Sequence, residues 1–149
     1  MKRLLNTILI ATMLTAIPFL GFSQCKGFTK KECLPVLEPY LYNGQLNSAI
    51  LNEGDVAELL LTFYGGQDYR ILVCSQDMLG TVEFKLFDTE RNEIFSNKEH
   101  NLVNVWDFNA NSTQQLIVQV KVPAPTEKKE LVNSGCVSIL VGFKENLGE

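Results

Sequence analysis

The chain has 149 residues, and its 13 lysines and arginines against 17 aspartates and glutamates give a formal net charge of −4 at neutral pH. An acidic chain is a poor candidate for binding nucleic acid or an anionic membrane surface, because both require a basic surface. The length suits one domain of ordinary size, and we find no internal repeat or low-complexity segment.

The first 23 residues have the pattern of a secretory signal peptide. Lys2 and Arg3 form a basic start, the apolar stretch Leu4–Phe22 follows, and Ser23 ends it. We predict cleavage after Ser23, which makes residues 24–149 one secreted or periplasmic domain with no membrane span. Because the cut removes two of the 13 basic residues, the mature net charge becomes −6.

Two alternatives stay open at this end of the chain. The apolar stretch is almost long enough to act as a membrane anchor. Cys25 lies next to the expected cut, where a lipoprotein would carry its lipid, although Gln24 is not the small residue that such a site needs. A surface-retained adhesin or lipoprotein is therefore one alternative function.

Residues 24–45 form a cysteine-containing head with one predicted helix. Thr29 and Glu32 have the spacing of a capping box, and leucines recur at helical intervals after them. We expect one short helix over Thr29–Glu38, which Pro39 limits because proline lacks a backbone donor.

From Ser48 onward, the apolar residues recur with the two-residue period of β-strands. Two apolar runs, Leu59–Tyr64 and Tyr69–Cys74, flank a polar turn and predict a central hairpin. Because both runs are apolar on both faces, we expect this hairpin inside a sandwich rather than at a wet edge. The other predicted strands are Ser48–Leu51, Val82–Phe87, Glu93–Ser96, Val103–Phe108, Leu116–Val122 and Val137–Phe143.

Short strands separated by turn signals, with no helix-length segment between them, indicate an all-β fold. We predict an antiparallel β-sandwich of seven to eight strands with one short N-terminal helix.

The order of features from Gly54 onward resembles the pre-peptidase C-terminal (PPC-like) β-sandwich domain of secreted bacterial proteins. The shared features are Gly54-Asp55, the apolar hairpin, the alternating strand Val82–Asp88 and the final strand Gly135–Val141. The chain also resembles signal-peptide-bearing bacterial proteins of uncharacterised activity that share the hairpin Gly66–Ile71. The first resemblance implies a jelly-roll-like sandwich that serves as a non-catalytic accessory or binding module beside proteases.

The four cysteines, Cys25, Cys33, Cys74 and Cys136, all follow the predicted cut. An even count behind a signal peptide predicts disulfides formed in an oxidising compartment. Cys74 ends one predicted strand and Cys136 opens the last, so antiparallel neighbours would bring them together. We favour Cys74–Cys136, with Cys25–Cys33 closing the head, among the three connectivities that four cysteines allow. The wide spacings argue against zinc and against a redox-active pair.

One stretch imitates a calcium-binding loop. Asp88, Glu90, Asn92 and Glu99 place oxygen ligands at alternate positions with a later glutamate. Glu93 stands where the sharp turn of such a loop needs glycine, so the alternative is a polar hairpin turn. Calcium is the single cofactor candidate, and we predict no other.

Neither His100 nor the aromatic residues select a site. His100 is the single histidine of the chain and lies in a polar run, so a solvated loop histidine is favoured over a catalytic one. The aromatics could form a stacking face, but burial in the core is favoured for such large side chains. They are Trp106, Phe108, Tyr40, Tyr42, Tyr64 and Tyr69.

We therefore predict no catalytic residue. The lead hypothesis is a secreted or periplasmic, non-catalytic β-sandwich protein of binding or structural type. Its partner would be an extracellular or periplasmic polymer or protein. The alternative is a hydrolase whose paired carboxylates meet only in the fold.

Overall fold

The computed structural model describes residues 23–125 and 131–145, so the predicted signal peptide, apart from Ser23, lies outside them. The described chain is an antiparallel sandwich of nine strands in two sheets, which confirms the predicted fold class. The strands are β1 (Leu41–Tyr42), β2 (Asn47–Asn52), β3 (Val56–Phe63), β4 (Gln67–Ser75), β5 (Glu83–Phe87), β6 (Glu93–Ser96), β7 (Val105–Ala110), β8 (Gln114–Lys121) and β9 (Ser134–Glu145).

The two sheets have different edges. In sheet A, β1 and β2 both pair with one side of β9, and β4 and β7 follow on its other side. In sheet B the order is β3, β8, β5 and β6. β5 and β6 form a hairpin across the predicted polar turn Asp88–Asn92. Most other connections carry the chain from one sheet to the other, because consecutive strands lie in different sheets.

The core lies between the sheets and consists of the inward-facing side chains of both. Phe63, Ile71, Phe84, Leu86 and Val118 are among its fully buried members. Burying one such side chain stabilises the fold by about 1.5–3 kcal/mol. The alternating strand that the sequence predicted at 82–87 contributes Phe84 and Leu86 to this core and keeps Lys85 on the other face.

The predicted central hairpin is wrong. β3 pairs with β8 in sheet B, whereas β4 lies between β7 and β9 in sheet A. The segment Tyr64–Gly66 crosses between the sheets, with Gly66 at a φ of +84°. A Cβ atom on Gly65 would lie 2.9 Å from Ser112 Cα, so the crossing also needs glycine there. Two apolar runs around a turn have the same sequence pattern in both cases, whether the two strands pair in one sheet or face each other from two sheets across the core.

β3 is also an edge strand, although the sequence predicted it inside the sandwich. Its side chains alternate: Leu61 and Phe63 are buried, while Leu60 and Thr62 are exposed. The leucine run 59–61 hides this alternation, because its outward residue is as apolar as its neighbours.

The head is helical but begins earlier than predicted. α1 spans Ser23–Phe28, and a π-helical turn (Thr29–Cys33) and a 3-10 turn (Leu34–Leu37) continue it. The predicted helix at Thr29–Glu38 therefore starts too late. Its residues wind as π and 3-10 turns rather than as an α-helix, and Pro35 accompanies the irregular winding. The Thr29 hydroxyl does not cap a helix, because it donates to the carbonyl oxygen of Cys25.

The head covers the outer face of sheet A. Leu37 and Cys33 pack there against Leu72 and Leu140, forming a second, smaller core. Two disulfides fasten it: Cys25 to Cys136 and Cys33 to Cys74, with Cα–Cα distances of 5.3 and 5.9 Å. All four cysteines are thus oxidised, as predicted, but the predicted pairing is wrong.

Geometry explains why the predicted pairs do not form. β4 and β9 are neighbours, as expected, but Cys74 lies opposite Ser138, two positions from Cys136. Such diagonal neighbours are about 7–8 Å apart, beyond ordinary disulfide reach. Cys25 and Cys33 are eight positions apart on a helical segment, about 12 Å at 1.5 Å per residue. Each head cysteine reaches a sheet cysteine instead.

The end of the head is fixed by a stacked tyrosine. The Tyr40 ring lies between the Arg70 guanidinium and the Lys144 ammonium, 4.6 and 4.4 Å from its centroid. Arg70 also forms a two-pronged ion pair with Asp107. A Cβ atom on Gly142 would lie 2.6 Å from Tyr40 Cβ, so glycine permits this close approach.

Candidate binding groove between two edge strands

One long side of the sandwich is sealed by aromatic side chains. Trp106 of β7 stacks on Phe95 of β6 across the two sheets, with ring centroids 5.1 Å apart. Phe108 stacks on Trp106 at 4.7 Å, and the His100 ring covers the far side of Phe95 at 5.0 Å. Aromatic contacts of this kind close the core from solvent.

The opposite long side, between β2 and β3, has no such seal among the described residues. Ala49 of β2 and Ala57 of β3 face inward there, and their small side chains leave space. Two clefts, of about 330 and 530 Å³, follow β3 one after the other. We call them together the lateral groove. It is lined by residues 43, 45–49, 51, 57–64, 67, 69, 120, 137, 139, 141 and 143.

The strands that border the lateral groove carry little of the usual protection of a sheet edge, with Glu58 of β3 as their one charged residue. β3 is eight residues long and contains no lysine, arginine, proline or glycine. Its outward side chains include Val56 and Leu60, each 54% exposed. Because β3 pairs only with β8, alternate residues direct their backbone N–H and C=O groups away from the sheet. β2, Asn47–Asn52, has no charged residue.

On the sealed side, both edge strands carry an ion-paired acid, and β6 is half as long as β3. β6 has four residues, and its Glu93 pairs with Lys85 at 2.6 Å. β7 carries Asp107, which pairs with Arg70 at 2.7 Å. Short, charged edges discourage pairing with another chain. The side with the aromatic seal is therefore the better protected of the two.

The lateral groove is almost uncharged. Its single charged lining residue is Glu58, whose carboxylate accepts hydrogen bonds from Arg91 at 2.7 and 2.9 Å and from Gln119 at 2.7 Å. Those hydrogen bonds, first of all the one from Arg91, hold the pKa of Glu58 below its ordinary value. The groove therefore offers a surface of mixed apolar and uncharged polar side chains, and its one acid is already paired.

Asn47 supplies an unusual polar group inside the lateral groove. Its Nδ2 atom is buried and has no hydrogen-bond partner among the described residues. A buried amide donor without an acceptor costs about 1–3 kcal/mol, so such atoms are rare in native proteins. Nothing in the sequence singled out Asn47, because one asparagine in a short strand carries no recognisable pattern.

Apolar side chains continue the groove onto the surface. Tyr64 at one end is 64% exposed, and Leu46 on the β1–β2 connection is also exposed. Contiguous exposed apolar surface of this kind is typical of interaction sites rather than of a free surface.

The aromatic residues that the sequence singled out do not gather on one face. Tyr69 is buried in the core, and Trp106 and Phe108 are half-buried against it. Tyr42 packs under the head on the outer face of sheet A. The favoured interpretation, that most of these aromatics fill the core, agrees with this placement.

The calcium candidate has a structural role instead. The Asp88 carboxylate accepts hydrogen bonds from the backbone of Glu90 and from the backbone and side chain of Asn92, at 2.8–2.9 Å. The hydrogen bonds from Asn92, the largest contribution, lower the pKa of Asp88. Glu99 lies on the later 3-10 turn Asn97–His100. Within residues 23–125 and 131–145, no three acidic, histidine or cysteine side chains gather as a metal site.

Two acidic residues line one of the described clefts. Glu32 of the head and Asp77 of the β4–β5 connection both line a cleft of about 450 Å³. Both are exposed, and Glu32 pairs with Lys31 at 3.2 Å. A general acid of a glycosidase sits in a desolvated environment, and these exposed side chains do not have one.

Two further facts concern attachment to a membrane. Cys25 is bonded to Cys136, so it has no thiol with which to carry a lipid. No helix in the described part of the chain is long and apolar enough to span a membrane.

No protein-family model matches this chain, and no curated protein sequence matches it either. Among solved structures, it is similar to PliG of Aeromonas hydrophila, a periplasmic inhibitor of g-type lysozyme, with a TM-score of 0.48, 12% identity, and coverage of 71% of this chain and 89% of that one. It is also similar to PliG of Salmonella Typhimurium, with a TM-score of 0.39, 12% identity, and coverage of 67% and 86%. Overlaps this low assign neither family nor activity, and the PPC-like resemblance stays a prediction.

Proposed function

We propose that this chain is an exported, non-catalytic, disulfide-stapled binding protein that recognises another protein through the lateral groove and β3. The difference between its two long sides carries this proposal. One side has an aromatic seal and the short edge strand β6, whereas the other keeps the eight-residue edge strand β3 beside an open groove with a single charged lining residue. A free edge of this kind is the structural element that recruits an extended segment of a partner. The two disulfides support export to an oxidising compartment.

Site-specific photo-crosslinking tests the proposal. A photoreactive phenylalanine analogue replaces Leu60 on the exposed edge β3, and in a matched control it replaces Ile94, an exposed apolar residue of β6. In the cells that produce the protein, we expect a specific protein adduct from position 60 and not from position 94. Adducts that are equal at both positions would contradict the proposal.

The captured protein is then purified and its affinity measured. Leu60→Lys should weaken binding by about tenfold or more, because a charge blocks strand pairing at the edge. Ile94→Lys should leave binding unchanged. A g-type lysozyme is included as one purified candidate, with inhibition of its cell-wall hydrolysis as the readout. Equal affinities of the wild-type protein and Leu60→Lys for the captured protein would rule out the groove as its site.

A further inference from the structure

We infer that β3 pairs with β3 of a second copy of this chain, which joins the two sheets B into one antiparallel sheet. Leu60 lies opposite Leu60 of the second copy, on a twofold axis. The pairing rests on the geometry of β3 and not on the proposed function. It covers the edge that the proposed partner would use, so the second copy and that partner compete for it.

The backbone groups that β3 leaves free belong to its even-numbered residues. The N–H of Val122 donates to the carbonyl oxygen of Asp55 at 2.9 Å, so the odd-numbered residues of β3 are those that bond to β8. The N–H of Phe84 turns away from β8 to Oδ1 of Asn97, which gives the same alternation one strand further into sheet B. The residues of β3 whose N–H and C=O groups point away from the sheet are therefore Val56, Glu58, Leu60 and Thr62.

One register makes these outward residues hydrogen-bonding partners of each other. When Leu60 faces Leu60, Glu58 faces Thr62 and Val56 faces Tyr64. The three pairs around the axis then form about six backbone hydrogen bonds. A register centred on Glu58 would instead place two carboxylates opposite each other, which opposes pairing. The sequence of β3 is therefore complementary to itself when Leu60 lies on the axis, as a twofold interface requires.

Apolar side chains on the outer face of sheet B match in this register. Leu60 is opposite Ile117 of β8, and Ile117 is opposite Phe87 of β5, so these residues form an apolar stripe across the sheet. Because the stripe reaches the edge at Leu60, the stripes of two copies meet at the axis and continue each other. Cross-strand apolar pairs of this kind stabilise a sheet.

The polar side chains beside the stripe also fit. The Thr62 hydroxyl accepts from Nε2 of Gln115 at 3.4 Å, so its own proton is available. The Glu58 carboxylate accepts from Arg91 and Gln119 and has room for about one more hydrogen bond. Across the axis, the Thr62 hydroxyl donates to Glu58 of the second copy, which gives the pairing a polar contact specific to this register.

Net charge weakens the pairing without preventing it. Each copy carries a net charge of −4, so two copies repel each other. Salt screens that repulsion over about 8 Å at physiological ionic strength. At the interface itself, Glu58 is already paired with Arg91. Dimerisation should therefore strengthen when salt is raised, whereas a dimer held by ion pairs would weaken.

Sedimentation velocity of the mature protein, with its disulfides intact, tests the inference. The edge of one strand is a small interface, so we expect monomers to convert to dimers between about 1 and 300 µM. The conversion should move to lower concentration in about 0.5 M salt. A protein that stays monomeric throughout this range, at either salt concentration, would overturn the inference.

Charge variants of Thr62 test the register. Thr62→Glu places a second carboxylate opposite Glu58 and should weaken dimerisation by about tenfold or more, whereas Thr62→Lys should strengthen it by about threefold or more. Thr81→Glu and Thr81→Lys are the matched controls, because Thr81 is exposed and precedes β5, away from the β3 edge. The controls change the net charge equally and should have little effect. Equal effects at positions 62 and 81 would mean that net charge alone sets association, which would overturn the register.

The photoreactive residue at position 60 separates this inference from the proposed function. An adduct of twice the mass of the mature chain identifies a second copy, and an adduct of any other mass identifies a different protein. Adducts with a second copy alone would support this inference and contradict the proposed function. Adducts with a different protein alone, from a chain that sediments as a monomer, would support the proposed function and overturn this inference.

Discussion

Thr29 and Ser138 are 109 positions apart in the sequence, yet their hydroxyl oxygens lie 2.6 Å from each other. Both residues are buried beneath the head. The Thr29 hydroxyl donates its one proton to the carbonyl oxygen of Cys25 at 2.7 Å, so Ser138 is the donor between the two hydroxyls. This short chain of hydrogen bonds joins the head to sheet A between its two disulfides.

Thr29→Val should destabilise the protein by about 1–2 kcal/mol. Valine keeps the shape of threonine but leaves the buried Ser138 hydroxyl and the Cys25 carbonyl without their partner. Chemical denaturation measures the loss. In a double-mutant cycle with Ser138→Ala, the two losses should add to more than the loss in the double variant. Fully additive losses would show that the two hydroxyls do not interact.

Peptide mapping should find Cys25 linked to Cys136, and Cys33 linked to Cys74. Trypsin cuts after Lys26, Lys30 and Lys31, so it separates Cys25 from Cys33 and makes the pairing readable by mass spectrometry. A linked Cys25–Cys33 peptide would contradict the structure.

Removing the disulfide between Cys33 and Cys74 should lower the free energy of unfolding by several kcal/mol. Its cysteines are 41 positions apart, and closing a loop of that length is worth about 4 kcal/mol in the chain-entropy treatment. The double variant Cys33→Ala/Cys74→Ala should therefore unfold at lower denaturant concentration and release the head. Increased hydrogen exchange in residues 34–40, measured against the wild-type protein, would report that release, and unchanged exchange would speak against it.

Asn97→Ala should be among the most damaging single changes to a polar residue. Asn97 is buried, its Oδ1 accepts from the Phe84 N–H at 2.9 Å, and its Nδ2 donates to the carbonyls of Val82 and Val103 at 3.1 Å. Losing these partners should cost about 3 kcal/mol. Asn109→Ala removes an exposed hydrogen bond to Asp68 and should cost under about 0.5 kcal/mol. Equal losses would contradict this explanation.

Acid should destabilise the protein partly through Glu58. Its pKa is lowered in the folded protein by Arg91 and Gln119, so the unfolded chain binds the proton more readily. The stability that ionised Glu58 adds to the fold is therefore fully present above its ordinary pKa of 4.5. It is lost as the pH falls through the lowered pKa that Glu58 has in the folded protein. Glu58→Gln should flatten the fall of the unfolding free energy with pH in this range. Glu90→Gln, which leaves the Arg91 pair intact, is the control, and equal flattening would contradict the assignment.

The sequence predicted the class of the fold because alternation of apolar residues is a local property. Val82–Phe87 shows it clearly, and the structure buries Phe84 and Leu86 as that pattern requires. The sequence also predicted that the cysteines are oxidised, since an even number of cysteines behind a predicted export signal indicates disulfides without any knowledge of geometry. It failed at the helix, because the capping-box spacing of Thr29 and Glu32 does not mark the start of the helix. The Thr29 hydroxyl bonds to Cys25 and Ser138 instead.

Which strands become partners was decided only in the tertiary structure. Burial is non-directional, so β3 and β4 satisfy the same apolar pattern as a hairpin or as facing strands of two sheets. The register of β4 and β9 decided the pairing of Cys74. Cys74 lies opposite Ser138, two positions from Cys136, and this offset puts Cys136 beyond disulfide reach of Cys74. The lateral groove and the unpaired Asn47 donor arise from the contrast between an aromatic seal at Trp106 and alanines at the opposite edge. That contrast joins residues from distant parts of the chain, and no local pattern records it.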